Sequence, residues 1–196
     1  MREFLTERRL EKIKRVVKAR QHSLRVVMEN IHDPHNVSAI FRSCDAVGVP
    51  KVTLLYTIEE FPKISKVSSS SANKWIEKEK FNDTQACFES LRNEGFKIYS
   101  TLLDENSESI YDIDFTEKVA IVMGNEHRGV SDEVAALSDK TIYIPMRGMI
   151  QSLNVSVATA VILYEAQRQR MLKGMYEHSE LSDDEIDKII DEWSRK

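Results

Sequence analysis

Apolar positions along the chain alternate between two periods, and each change of period marks an element. Around residues 6–20, Leu5, Leu10, Ile13, Val16 and Val17 recur at near-helical spacing among Arg8, Arg9, Lys12, Arg15 and Lys18, which predicts an amphipathic basic helix. Residues 24–31 (LRVVMENI) read as a first strand and residues 36–47 as a helix with the apolar stripe Val37, Ile40, Cys44 and Val47. At about 100° per residue, Arg42 lies about 180° from the centre of that stripe and points away from the core the helix packs on. Asn36 suits an N-cap and Gly48 ends the helix. Residues 51–56 (KVTLLY) form a second strand. Residues 57–72, with Pro62 and four consecutive serines, read as a mobile loop, and residues 73–80 as a short strand anchored by Trp75.

The alternation then repeats. Residues 83–94 predict a helix closed by Gly95, residues 96–103 a strand and residues 106–117 a connector. Residues 118–123 (KVAIVM) form a wholly apolar strand that runs into GNEHRG. Residues 131–138 form a short helix with Ser131 as N-cap and Asp132 and Glu133 favourable in its first turn. A capping box, Ser182 with Glu185, announces a last helix at 182–193 whose apolar face is Ile186, Ile189, Ile190 and Trp193. Strands alternating with helices predict an α/β fold with a largely parallel sheet and helices on both faces.

Residues 141–170 stand apart. A strand end stops at Pro145, a loop over 146–154 mixes Gly148 and apolar residues with Gln151, Ser152 and Asn154, and a helix follows from Val155 to Arg170. Up to Tyr164 the only polar side chains of that helix are Ser156 and Thr159, so it must be buried on more than one side.

Composition narrows the class. The 196 residues are 41% hydrophobic and 31% charged, with no apolar run of membrane-spanning length and no signal-peptide core. Cys44 and Cys87 lack CxxC pairing and read as reduced thiols of a cytoplasmic protein, and no Cys/His cluster has metal-ligand spacing. The overall charge of −4 hides a gradient: residues 1–25 carry a net charge of +6 and residues 177–192 a net charge of −7. A basic arm binds phosphates whatever the distant charge.

Four polar constellations fall at strand C-termini or helix starts, where α/β folds place ligands. They are Asn36 with Arg42, Thr101, Gly124–Gly129 with Glu126, and Ser152 with Asn154. GNEHRG is neither a dinucleotide fingerprint nor a P-loop.

Three segments resemble the motifs of the SPOUT class of RNA methyltransferases, in its SpoU/TrmH branch. They are NVSAIFRSCDAVGV at 36–49, IVMGNEHRGVS at 121–131 and IPMRGMIQSLNVSVATAVILYE at 144–165. The lead-in MENIHDPHN, the SANKWI segment, the basic first helix and the tail ending DEW resemble the subfamily that methylates the ribose 2′-oxygen of guanosine 18 in the tRNA D-loop. One departure is SSSSANKW, where many relatives have glycine before the alanine. The resemblance implies a deep trefoil knot around 119–172 within a catalytic domain at 24–172, flanked by a tRNA-binding helix at 1–23 and a helical extension at 173–196.

It also implies a homodimer without metal or membrane, acting on tRNA with S-adenosylmethionine as cofactor. The cofactor would lie against Thr101, Gly124, Ile144 and Leu153, with Met123 and Met146 as apolar walls. Arg42 would activate the 2′-hydroxyl and Asn36 would hold Arg42, while Glu126, Ser152 and Asn154 order the site. Arg8, Arg9, Lys12, Arg15 and Arg168 would meet RNA. A free guanidinium with a pKa above about 12 is a poor base, so Arg42 is better read as a cation stabilising the developing alkoxide. A ribosomal-RNA 2′-O-methyltransferase and a non-catalytic RNA-binding protein of the same fold are the rival readings.

Overall fold

The computed structural model describes residues 5–62 and 72–196. Most of the loop expected at 57–72, its serines included, lies outside the described residues. Seven strands, β1 Leu24–Glu29, β2 Lys51–Leu55, β3 Glu77–Phe81, β4 Lys97–Thr101, β5 Glu108–Ser109, β6 Val119–Met123 and β7 Lys140–Tyr143, form one sheet in the order β3-β2-β1-β6-β4-β7-β5. Every pairing in it is parallel. Among the described residues six α-helices accompany it: α1 Glu7–Lys18, α2 Pro34–Val47, α3 Thr84–Asn93, α4 Asp132–Leu137, α5 Val155–Leu172 and α6 Asp183–Trp193.

The apolar runs in the central strands follow from burial on both faces. In β1 and β6, Val26, Met28, Val119, Ile121 and Met123 join the core beneath α2 and α5, while Val27, Ala120 and Val122 turn to the core beneath α3 and α4. A third cluster joins the two ends of the chain. Ile13 and Val17 of basic α1 pack on Ile186, Ile190 and Trp193 of acidic α6, and Trp193 meets Trp75 at a 50° tilt with ring centroids 4.8 Å apart.

Three local expectations change. Asn36 is not the N-cap of α2: Asp33 caps it, accepting from the His35 N–H at 2.8 Å, and Pro34 opens the first turn. The 73–80 segment divides into a 3₁₀ turn at Ala72–Lys74 and the later strand β3. The 106–117 connector contains β5, which pairs with β7. Helix α5 buries Thr159, Ile162, Leu163 and Ala166 within the chain, yet Val157 is 48% and Tyr164 54% exposed. Its last turns are fixed by Arg170, wholly buried, whose guanidinium donates to the carbonyls of Phe115, Ser23 and Glu117 at 2.9, 3.1 and 2.8 Å.

Candidate active site

The sheet order reverses direction at β1 and β6, so the loops leaving the C-terminal ends of β6, β4 and β7 open onto one crevice. There the structure places a cavity of about 690 Å³, within the roughly 300–1,000 Å³ usual for ligand sites. The loop after β4 contributes Thr101, Leu102 and Leu103, the loop after β6 contributes residues 124–129, and the stretch after β7 contributes Ile144, Met146 and residues 151–154.

The β6 loop is a tight hairpin. Asn125 and Gly129 exchange both backbone bonds at 2.9 Å. A Cβ on Gly124 would meet Gly129 C and Val130 N at 2.2 Å, so only glycine allows the two backbones to lie this close. The Asn125 amide braces the turn, accepting from the His127 N–H at 3.0 Å and donating to the Asn30 carbonyl at 2.7 Å. Asn30 has φ +49°, a left-handed conformation that asparagine tolerates. Its side-chain oxygen collects the N–H groups of Thr57, Ile58 and Glu59 at 3.0, 3.1 and 3.2 Å, tying the end of β1 to the end of β2.

Across the pocket runs a relay of amides. Asn154 caps α5: its Oδ1 accepts from the Ser156 N–H at 2.9 Å, which leaves its Nδ2 to donate to Asn36 Oδ1 at 3.0 Å. That fixes the Asn36 amide, whose Nδ2 donates to Glu126 Oε1 at 3.0 Å. Glu126 also accepts from the N–H groups of His32 and Asp33 at 3.2 and 3.1 Å, so a carboxylate of one loop sits at the start of α2. Burial acts to raise the Glu126 pKa, but the Asn36 bond and the backbone N–H bonds outweigh it and hold the carboxyl below its ordinary value. The pocket wall therefore carries a fixed negative charge at neutral pH.

Thus Asn36, Thr101, Met123, Gly124, Glu126, Ile144, Met146, Ser152, Leu153 and Asn154, expected to share a site, all line this one cavity. Arg42 does not. It is exposed on α2, outside the cavity wall, and Asn36 holds Glu126 and Asn154 rather than Arg42. Arg8, Arg9, Lys12 and Arg15 are exposed along α1. Arg168 is engaged by its own helix, its Nε and Nη2 meeting the Glu165 carboxylate at 2.8 and 2.7 Å.

Asn30 and Asn125 were missed from sequence, although an asparagine within two residues of the end of each of two central strands was the available signal. Arg128 stands out in the sequence as a charge at the mouth of an apolar strand, but its pairing with Glu59 at 2.9 Å, in a rim that includes His32, was not readable there. Among the described residues no cluster of three or more His, Cys, Asp or Glu could hold a metal ion, and no helix is long and apolar enough to cross a membrane.

Comparison with known proteins places this geometry. The profile of the SpoU rRNA Methylase family matches residues 23–164. The chain is 43% identical to a tRNA (guanosine(18)-2′-O)-methyltransferase of Thermus thermophilus, over 97% of this chain and 98% of that one. It is 41% identical to the Escherichia coli enzyme of the same name, over 93% and 80% of the two chains. Against the 23S rRNA (guanosine-2′-O-)-methyltransferase RlmB of Acinetobacter baylyi the identity is 36%, over 76% of this chain and 61% of the relative. Among solved structures, the A. aeolicus TrmH/SpoU tRNA modifying enzyme superposes with a TM-score of 0.89 at 43% identity, covering 96% of both chains. The SpoU methyltransferase AviRb of Streptomyces viridochromogenes, in complex with AdoMet, superposes with a TM-score of 0.69 at 26% identity over 79% of this chain and 62% of that one.

Proposed function

Because this chain belongs to the SpoU rRNA methylase family, we propose that it transfers a methyl group from S-adenosyl-L-methionine to the 2′-hydroxyl of guanosine 18 in tRNA. The observation that carries the substrate is the reach of the likeness. It covers 97% of the chain for the Thermus thermophilus tRNA (guanosine(18)-2′-O)-methyltransferase, whereas the RlmB relative matches 76% of the chain.

The pocket fits the cofactor. Met123, Ile142, Ile144, Met146, Leu153 and Ile162 offer apolar walls, and Thr101, Ser152 and Asn154 offer hydrogen-bonding groups beside them. The cofactor, when bound, supplies a methyl group made electrophilic by a positive sulfonium. The ionised Glu126 lowers the cost of placing a cation in the cleft. The Asn154–Asn36–Glu126 relay fixes the loop after β6 against the starts of α2 and α5, which pre-organises the site.

The proposed cation for the developing 2′-alkoxide is Arg42, whose guanidinium offers several N–H donors in a planar fork. Since Arg42 is outside the cavity wall of its own chain, the reading requires it to reach the reacting oxygen from a second protomer. Exposed Val157 and Tyr164 on α5 and exposed Met149 and Ile150 in the preceding loop support a homodimer, because an open apolar surface of this kind favours being covered. A trefoil knot belongs to the same proposal. It is supported by β7, which pairs between the earlier strands β4 and β5, and by the clasp of Arg170 on the 115–117 segment.

The test is direct. Incubation with unmodified tRNA transcript and methyl-labelled cofactor should place one 2′-O-methyl group at guanosine 18. A transcript with a deoxyribose at that position should accept none. Methylation of a ribosomal-RNA fragment in place of tRNA would refute the substrate.

A further inference from the structure

A second, smaller cavity lies at the C-terminal ends of β2 and β3, outside the active-site pocket. It encloses about 320 Å³ and is walled by Leu54, Tyr56, Phe61, Lys80, Phe81 and Asn82. The Tyr56 and Phe61 rings meet edge to face, with centroids 5.3 Å apart and planes at 85°. Lys80 Nζ stands 5.7 Å from the Phe61 centroid, and Lys78 Nζ stands 5.5 Å from that of Phe41.

The charges of β3 are sorted by face. Glu79 turns to the side of Arg25 and Lys51, which pair with it at 3.3 and 3.0 Å. Lys78 and Lys80, on the side of the cavity, meet aromatic rings and no carboxylate among the described residues. Burial, together with the cations Lys80 and Lys196, lowers the pKa of Lys78, as expected where cations gather without a neutralising partner.

The two cavities are linked through the Ile31–His32 backbone. Tyr56 Oη donates to the Ile31 carbonyl at 2.8 Å, and the next residue, His32, donates its N–H to Glu126 in the active-site pocket. Both cavities open at the same end of the sheet, about three strand spacings or roughly 14 Å apart.

We propose that the cleft between β2 and β3 is a nucleobase subsite. It takes one unstacked base of the RNA substrate, a few nucleotides from the methylated ribose, against the ring of Phe61, while Lys80 and Lys78 meet the adjoining phosphates. Aromatic faces interleaved with unpaired cations are how single-stranded RNA is held, with bases splayed out of the stack. Asn82 at the rim offers an amide to the base edge. The proposal rests on the RNA-methylating reading above.

The experiment uses the full-length protein and a D-loop RNA carrying 2-aminopurine at one flanking position at a time. Stacking should quench fluorescence at one position with the wild type. Phe61→Leu, which keeps apolar bulk and loses the ring face, should abolish the quench and lower kcat/KM for tRNA by about 10- to 100-fold. Its affinity for S-adenosylmethionine should be unchanged, and Phe61→Tyr should restore both signals. A quench at no position, or a quench and kcat/KM that survive Phe61→Leu, overturns the subsite. Failure of the wild type to methylate tRNA refutes the parent reading instead, and the quench, which needs no turnover, then decides the subsite alone.

Discussion

Replacing Glu126 with glutamine tests the relay at its anchor. The carboxylate accepts three hydrogen bonds, from the His32 and Asp33 N–H groups and from Asn36 Nδ2. A glutamine oxygen can keep the Asp33 and Asn36 donors, but its NH₂ then faces the His32 N–H, donor against donor. Hydrogen bonds to an ionised acceptor contribute about 1.5–3 kcal/mol each and neutral ones about 1 kcal/mol. Losing charge assistance on two bonds and the whole of a third, at a partly exposed site, costs about 2–3 kcal/mol. For a chain of this length that lowers Tm by roughly 4–12 °C.

The pH dependence gives the sign. The folded-state pKa of Glu126 is depressed below 4.5, so its contribution is present in full above the unfolded value. It is lost as pH falls from there through the folded value. Thermal melts of wild type and Glu126→Gln at equal protomer concentration should differ by the full amount at pH 7. The two curves should converge below the folded pKa, where the wild-type carboxyl is itself protonated. Equal stability at pH 7, or a gap that does not shrink in acid, would refute the reasoning.

Four further outcomes follow from named residues. Arg42→Ala should fold and bind S-adenosylmethionine normally while turnover falls about 10²–10⁴-fold. A mixed dimer of Arg42→Ala and Asn154→Ala chains should regain activity that neither parent shows, and no regain would place the guanidinium in its own chain's site. Glutamine at Arg8, Arg9, Lys12 and Arg15 together should flatten the salt dependence of tRNA binding by roughly 0.7–0.9 in log–log slope for each phosphate no longer neutralised, read by filter binding. Substitution serves better than removal of the helix, since Ile13 and Val17 cover Ile186 and Trp193. Arg170→Leu should cost about 3–5 kcal/mol in urea unfolding, because the carbonyls of Phe115, Ser23 and Glu117 lose a buried donor.

The strands were legible because each central one is buried on both faces, which writes continuous apolar runs such as VAIVM into the chain. Strand β5 was not, because two residues carry no period. At α2 the wrong polar residue drew attention. Asn36 has cap chemistry, but Asp33 followed by Pro34 carries the stronger start signal, and Asn36 was thereby left for the site. The angular position of Arg42, away from its own core, was readable from spacing alone. Its separation from Asn36 was not, because a resemblance assigns roles to residues without showing which of them touch: Asn36 bonds Glu126 and Asn154 instead. Ten residues expected to share a site, spread over 119 positions from Asn36 to Asn154, line one cavity because the sheet topology brings three loops to one crevice and the motifs mark those loops.

The placement of Arg170 has a further consequence, for the order of events during synthesis. Its partners include Ser23, 147 residues earlier in the chain, and the carbonyl of Phe115, 55 residues earlier. No chain that ends before α5 can satisfy those carbonyls. A ribosome adding roughly 5–20 residues per second needs about 2–10 s to travel from the end of β6 to the end of α5. Throughout that interval β1 and β6 are complete but lack the helix that covers one face of them. The time for which those strands stand open to wrong partners is thus set by the speed of translation, and a slower ribosome lengthens it.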